Sequence, residues 1–286
     1  MLKHRLFSGT LMTVLFVGLM LFDGWLDGSI TSNISDDASV KGTIMCILIG
    51  ILLVLGQLEL SSMVKAKGIR CFLPVTIAAS IILGCSWYFN QLTSFAPHLY
   101  IYFACALAVC VLFDYQYLKY GTKDVIINCG VNCFCIFYLG LLAAFSLGIR
   151  IDFGLWPLLM FVFVIKTADI GAYTAGSLFG KHKFFPNISP RKTWEGMAGA
   201  VITAVVISML FSAVFDIMSW LLAVVFGIVF AFLGQFSDLA ESLIKRDAEQ
   251  KDSAASVPGF GGILDVMDSI LLSAPFAYLF FGLLNR

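Results

Sequence analysis

The sequence predicts an all-α fold: a polytopic membrane protein of about nine transmembrane helices, N-terminus in the cytoplasm and C-terminus outside. Three observations predict it. The first is composition. Residues of the AVILMFWYC set make up 60% of the 286, and the 25 glycines add about 9% more. Soluble domains hold about 45–50% with glycine counted, and about 25% charge. Here charge is 13% and mean hydropathy is +0.94. A soluble globule of this size could not hide so much apolar surface. The second observation is nine apolar stretches, most of them close to the ~20 residues that cross a ~30 Å hydrocarbon core as a helix. The third is where the basic residues fall between those stretches. The same composition excludes disorder, a disulfide-stapled secreted domain and a nucleic-acid binder. Eighteen basic residues balance eighteen acidic ones, with no basic patch.

The stretches run over 6–22, 43–60, 72–89, 99–113, 125–148, 153–176, 197–215, 219–237 and 262–284. The first follows Lys3 and Arg5, as a signal peptide would. No small-residue cleavage site of the A-x-A kind follows it, so it reads as an uncleaved first membrane helix. The fourth is short and reads as tilted or extended. Gly, Pro, Asn and charge clusters end the stretches, as at 23–41 and 181–191. With the N-terminus inside, fourteen of the eighteen Lys and Arg residues are cytoplasmic. Lys41, Arg150 and Arg286 fall outside and Lys166 lies within a stretch. That bias is the one cytoplasmic loops carry.

The eight cysteines read as small apolar side chains. Cys129, Cys133 and Cys135 are their only cluster, and no histidine stands near as a second zinc ligand. Residues 1–150 form N-terminal transmembrane helices, a lipid-facing scaffold with almost no charge at depth. Gln57 and Glu59 are the exceptions, and Glu59 reads as a surface-seeking group at a membrane edge. Residues 151–286 hold nearly everything polar at membrane depth. No internal repeat supports an inverted-repeat transporter.

Polar groups in hydrocarbon are costly, about 2.5–3.5 kcal/mol for Asp, Lys or Arg at a helix centre. Lys166 and Asp169, three apart, share a helix face. They read either as a structural ion pair packed by Gly171, Gly176 and Gly180, or as the wall of a polar pocket. The segment 181–196 then carries Lys181, Lys183, Arg191 and Lys192. Within it Ser189-Pro190-Arg191-Lys192-Thr193 reads as a rigid turn presenting two cations and two hydroxyls beside a helix start. Arg191 and Lys192 there can hold phosphate oxygens, and the helix N-terminus favours anions. It is not a Walker loop, because His182 follows Gly180-Lys181 where Ser or Thr is needed.

The third polar region is 234–269. Asp238, Glu241, Ser242 and Lys245 follow helical spacing on one face. Pro258-Gly259-Phe260-Gly261-Gly262 forces an irregular turn. Asp265 and Asp268, three apart at a helix start, point the same way. With Asp238 they make a hard-oxygen set suited to Mg²⁺, which takes one or two protein carboxylates plus substrate phosphates. The competing reading is helix capping and amphipathic surface charge.

The stretch from Ser242 to Asp268 resembles the signature of phosphatidate cytidylyltransferases, the CDP-diacylglycerol synthases. That pattern runs S-x-x-K-R, four residues, K-D, then P-G-H-G-G, then D-R-x-D. Ser242, Lys245, Arg246, Lys251, Asp252, Pro258, Gly259, Gly261, Gly262, Asp265 and Asp268 stand at its spacing. The upstream ADIGAYTAGSLFGK and ISPRKTWEG are also similar to family segments, so the likeness covers about 160–275. Two positions depart: Phe260 stands where the pattern has His, and Val266 where it has Arg.

The resemblance implies transfer of the cytidylyl group of CTP to phosphatidate, releasing pyrophosphate. It makes 151–286 the catalytic region, with the site at the cytoplasmic face of a bacterial inner (plasma) membrane. Asp238, Asp265 and Asp268 would hold Mg²⁺. Asp265, Asp268, Ser242, Lys245 and Arg246 would be catalytic. Asp169, Ser189, Arg191, Lys192, Thr193, Lys251, Asp252, Gly261 and Gly262 would bind substrate. A phosphate monoester is largely dianionic at neutral pH and already a nucleophile, so no Ser–His relay is needed. His4, His98 and His182 form none. The resemblance also admits a second, monovalent cation and a homodimer. Two rivals stay open: a CTP-using lipid enzyme with another acceptor, and a transporter or channel using Lys166 and Asp169 as a charge relay.

Overall fold

The computed structural model describes residues 2–30, 40–93, 97–186, 188–250, 253–254 and 261–284. They are almost entirely helical. Among them, eight helices are long and apolar enough to cross a membrane, and they coincide with eight of the nine expected stretches. The remaining stretch, 72–89, is split. Its helix α3 (Leu73–Gly84) stops at Cys85, whose backbone leaves helical geometry, and a short helix α4 (Ser86–Gln91) follows. The other elements are α1 (Leu2–Leu26), α2 (Thr43–Ala66), α5 (Pro97–Tyr120), α6 (Val125–Cys135), α7 (Leu142–Gly148), α8 (Leu155–Phe179), α9 (Trp194–Phe215), α10 (Trp220–Asp247), α11 (Ile263–Leu271) and α12 (Ala274–Leu284). π-Helical turns, Ile136–Leu141 and Ile149–Phe153, flank α7. The expected turn in 181–196 is a β-hairpin, β1 (Lys183–Phe185) antiparallel to β2 (Ser189–Thr193), with Lys183 opposite Thr193.

The chain separates into two compact units, 1–155 with 252–264, and 156–251 with 265–286. In the first, Phe72, Leu83, Leu112, Cys129 and Ile136 share a buried core. Gly140 lets a π-turn pack on α3, since a Cβ there would lie 2.7 Å from Ser80 Cα. All eight cysteines are free thiols. Gln57 is buried and donates to Ser80 Oγ at 2.7 Å and to the Cys135 carbonyl at 2.9 Å.

Two features of this unit depart from expectation. Glu59 is buried, not surface-seeking. Its Oε2 accepts from Ser253 Oγ at 2.9 Å and from the Leu264 amide at 3.0 Å, and its Oε1 accepts from the Ile263 amide at 2.9 Å. It thus serves free N–H groups at the start of α11, which would otherwise lie buried without partners. The unit also holds buried charge. Arg150 is fully buried, its Nε 2.9 Å from Asp23 Oδ2 and its Nη2 2.7 Å from Asp27 Oδ2. Asp23 also accepts from the Ile44 amide and Asp27 from the Gly42 amide, so α1, the start of α2 and a π-turn meet at one ionic knot.

In the second unit α8, α9 and α10 pack closely. Gly171 of α8 meets α9, where a Cβ would fall 2.6 Å from the Gly199 carbonyl. Thr203 Oγ1 bridges the same pair by donating to the Thr167 carbonyl at 3.2 Å. On α10, Gly227 packs against Val205, and Ser208 Oγ donates to the Ala223 carbonyl at 2.6 Å. Thr193 caps α9 by accepting from the Gly196 amide at 3.1 Å. Glu195 fastens the hairpin from the first turn of α9. It accepts from the amides of Lys181 and His182 and pairs with His182 Nδ1 at 2.6 Å.

Candidate active site

The polar residues of the second unit converge on the C-terminal third of α10. Asp238 and Glu241, three apart, present carboxylates on one face, and α11 brings Asp268 to them. One oxygen from each of the three lies within 4.8 Å of the others. Ser237 fixes the approach of the two helices. It donates to the Asp268 carbonyl, and its Oγ accepts from the Leu272 amide at 3.2 Å.

Lysines brace this group. Lys192, at the end of β2, sets Nζ 2.6 Å from Asp238 Oδ2 and donates to the Gln235 carbonyl at 3.0 Å. Gln235 Nε2 in turn donates to Asp169 Oδ1 at 2.9 Å. Lys245, one turn beyond Glu241, lies 2.7 Å from Glu241 Oε2 and 2.5 Å from Asp265 Oδ1. Lys166 donates to Ser269 Oγ at 2.7 Å and lies 3.5 Å from Asp268 Oδ1. Five carboxylates thus face three ammonium groups.

The group fits a divalent cation. Glu241 Oε1 is buried and, among the described residues, has no hydrogen-bond partner. A buried carboxylate oxygen without a partner is costly unless a cation takes it. Oxygens about 2.1 Å from Mg²⁺ stand up to about 4.2 Å apart across an octahedron. The trio, within 4.8 Å, stands close to that spacing.

The structure places the residues named from the sequence as follows. Asp238 and Asp268 meet, and Glu241 stands third beside them, while Asp265 is engaged by Lys245. Ser242 Oγ lies at 3.5 Å from Asp238 Oδ1. Asp169 joins through Gln235. Thr193 is the cap of α9, Ser189 lies opposite Phe185 in the hairpin, and Arg191 is exposed on β2. Arg246 is exposed and donates to the Gln250 carbonyl at 3.3 Å. Gly261 has a φ of 105°, a conformation glycine adopts without strain. Gly262 lies against Glu59 and Ser253 in the first unit. Lys251, Asp252 and Phe260 lie outside the described residues. Glu241, Gln235 and Ser237 were absent from the expected site. Glu241 was visible in the sequence as the carboxylate one helical turn after Asp238.

Comparison with known proteins accords with this geometry. The model of the cytidylyltransferase family matches residues 38–284, most of the chain. The chain belongs to the cytidylyltransferase family. Its relatives include the phosphatidate cytidylyltransferase of Chlamydia muridarum, 30% identical over 247 residues, 78% of each chain. That of Bacillus subtilis is 37% identical over 151 residues, 52% of this chain and 56% of the relative. That of Haemophilus influenzae is 40% identical over 137 residues, 44% and 46% of the two chains. The chain therefore spans about half the length of the Bacillus and Haemophilus proteins and over three quarters of the Chlamydia one. The family match takes in residues of both units, and with them Asp238, Glu241 and Asp268.

Proposed function

We propose that the protein transfers the cytidylyl group of CTP to phosphatidate, giving CDP-diacylglycerol and pyrophosphate for phospholipid synthesis. One observation carries the reading: in a chain of this family, three carboxylates gather within 4.8 Å and three lysines brace them. The names of the relatives supply the substrates. A phosphatidate oxygen forms a bond to the α-phosphorus of CTP. The bond from that phosphorus to the bridging oxygen breaks, and its electron pair leaves with pyrophosphate.

The obstacle is repulsion between two polyanions, so the work is electrostatic positioning. Asp238, Glu241 and Asp268 would hold Mg²⁺, with Asp265 beside them through Lys245. Bound there, the ion supplies charge neutralisation of the phosphates. Lys192 and Arg191 steady the triphosphate from the hairpin, and the capped start of α9 adds favourable amide dipoles. Lys245 and Arg246 hold the lipid phosphate, and Ser242 donates a hydrogen bond to a phosphate oxygen. The second unit carries the chemistry, and residues 1–150 form its membrane scaffold. The site opens on the cytoplasmic face of a bacterial inner membrane, where CTP is available. The bias of basic residues supports that orientation.

The test uses purified protein in detergent with Mg²⁺, phosphatidate and CTP labelled at the α-phosphate. Label in the lipid phase with matching pyrophosphate release is expected, and Asp265→Asn should abolish both while leaving membrane insertion intact. Label entering only another lipid phosphate would transfer the assignment to a different acceptor and turn attention to Phe260 and Val266.

A further inference from the structure

In the first unit, the end of α2 and the turn between α5 and α6 come together at the ends of membrane-crossing helices. Residues 65–72 and 119–124 carry Lys65, Lys67, Arg70, Lys119 and Lys123 against a single acid, Asp124. Basic residues beside membrane helices are ordinary, but the mounting of two of these is not. Arg70 lies over the Tyr120 ring, Cζ 4.6 Å from its centre. Lys119 donates to Tyr115 Oη at 2.9 Å, and its Nζ lies 5.1 Å from the Tyr115 ring centre and 5.7 Å from that of Tyr120. Phe72 packs on both rings, at 5.0 Å and 5.6 Å. Rings hold cations in place without neutralising them. Among the described residues, neither Arg70 nor Lys119 has a carboxylate within ion-pair distance.

A chain of buried amides sets the two turns. Asn132 donates to the Arg70 carbonyl at 2.8 Å and to the Asn128 carbonyl at 2.7 Å, and accepts from the Phe72 amide at 2.6 Å. Asn128 donates to Gln116 Oε1 at 3.2 Å, and Gln116 Nε2 donates to the carbonyls of Gly121 and Lys123, each at 3.0 Å. All three amides are buried. Such groups are costly in membrane helices unless bonded, and here their bonds go to the backbone beside the two cations. The cations are therefore held ready for an anion before it arrives. Guanidinium suits phosphate oxygens, and basic pockets between membrane helices hold lipid headgroups. Beside them α5 and α6 present exposed Leu118, Ile126 and Ile127, a surface for acyl chains. We propose that this end of the first unit binds an anionic phospholipid of the bilayer, its phosphate on Arg70 and Lys119 and its chains along α5 and α6. The site uses no residue of the carboxylate cluster and stands independently of the proposed reaction.

The test is native mass spectrometry of delipidated protein in detergent, titrated with phosphatidylglycerol, a phosphodiester that the proposed reaction does not consume, or with phosphatidylcholine. Wild type is expected to prefer phosphatidylglycerol. The double variant Arg70→Gln, Lys119→Gln is expected to lose one bound phosphatidylglycerol, its affinity falling by about tenfold or more, with phosphatidylcholine binding unchanged. Lys119→Arg keeps the charge and is expected to retain the lipid. Lys119→Gln alone, a change at an exposed side chain, serves if the double variant is not monodisperse, and is expected to weaken binding by about threefold or more. Equal phosphatidylglycerol binding by wild type and the neutral variants overturns the inference. So does a wild type without preference between the two lipids. Displacement of the lipid by millimolar inorganic phosphate also overturns it, since the ligand would then be a soluble anion.

Discussion

Lys192 Nζ lies 2.6 Å from Asp238 Oδ2, which joins the end of the hairpin to the acidic face of α10. A residue suited to phosphate and one suited to metal are thus each other's partners before any substrate arrives. On the proposed function, entry of a cation and a triphosphate would loosen this pair and give each member its new ligand.

Lys192→Met should therefore separate two effects. The Michaelis constant for CTP rises and kcat/KM falls at least a hundredfold, because a triphosphate contact is gone. Mn²⁺ affinity measured without nucleotide should rise, because Asp238 loses its competing ammonium. Initial rates across CTP concentration, together with metal titration, check both parts.

Asp265 and Asp268 stand on one helix but have different partners, and their Asn variants should differ accordingly. Asp268→Asn removes a member of the trio and should weaken divalent binding about 10–100-fold, the range seen for altered metal surroundings, along with turnover. Asp265→Asn breaks the 2.5 Å pair with Lys245 and should abolish turnover with Mn²⁺ affinity changed less than threefold. Equal loss of metal binding in both would sink the distinction.

Glu59 should prove a stability residue of unusual weight for a single carboxylate in α2. Glu59→Ala removes the acceptor of three donors, Ser253 Oγ and the amides of Ile263 and Leu264. Each stranded buried group costs about 1–3 kcal/mol. A thermal melt in detergent should fall by several degrees. Gly262→Ala should also destabilise, because its Cβ would collide with Ser253 Oγ and lie 2.7 Å from Glu59 Cδ. The two losses should be less than additive, since one of the two side chains that the new Cβ would meet is gone once Glu59 is Ala.

Arg150→Met leaves Asp23 and Asp27 buried with their charge uncompensated. Breaking such a group from one side costs about 3–5 kcal/mol. Adding Asp23→Asn and Asp27→Asn to the same protein should restore much of the melting temperature. A triple variant as unstable as the single one would refute the ionic account of this knot.

The membrane segments were legible because apolar length is a local property, and every stretch that was read is helical. The break at Cys85 was not, because Cys71 to Asn90 contains no Gly-Pro or charge signal at that point beyond Gly84. Nor was the hairpin, since strands of three and five residues are too short to show alternation. Asp238, Asp268, Lys192 and Lys245 were legible from residue type and spacing. Glu59 was misread because its partner Ser253 lies 194 residues further along the chain. Lys166 shows the same limit: the Asp169 pairing is local and visible, while the Ser269 bond spans 103 residues.

The knot around Arg150 also bears on how the chain is made. Asp27 is translated 123 residues before the guanidinium that neutralises it. At about 5–20 residues per second, the first helix waits roughly 6–25 s with its carboxylates unmatched. Until then only water, the insertion machinery or the amides at the start of α2 can serve those charges. The ionic knot therefore cannot close before Arg150 is made, which sets an order for this half of the chain: the first helix and the start of α2 gain their shared guanidinium only when the segment carrying Arg150 follows.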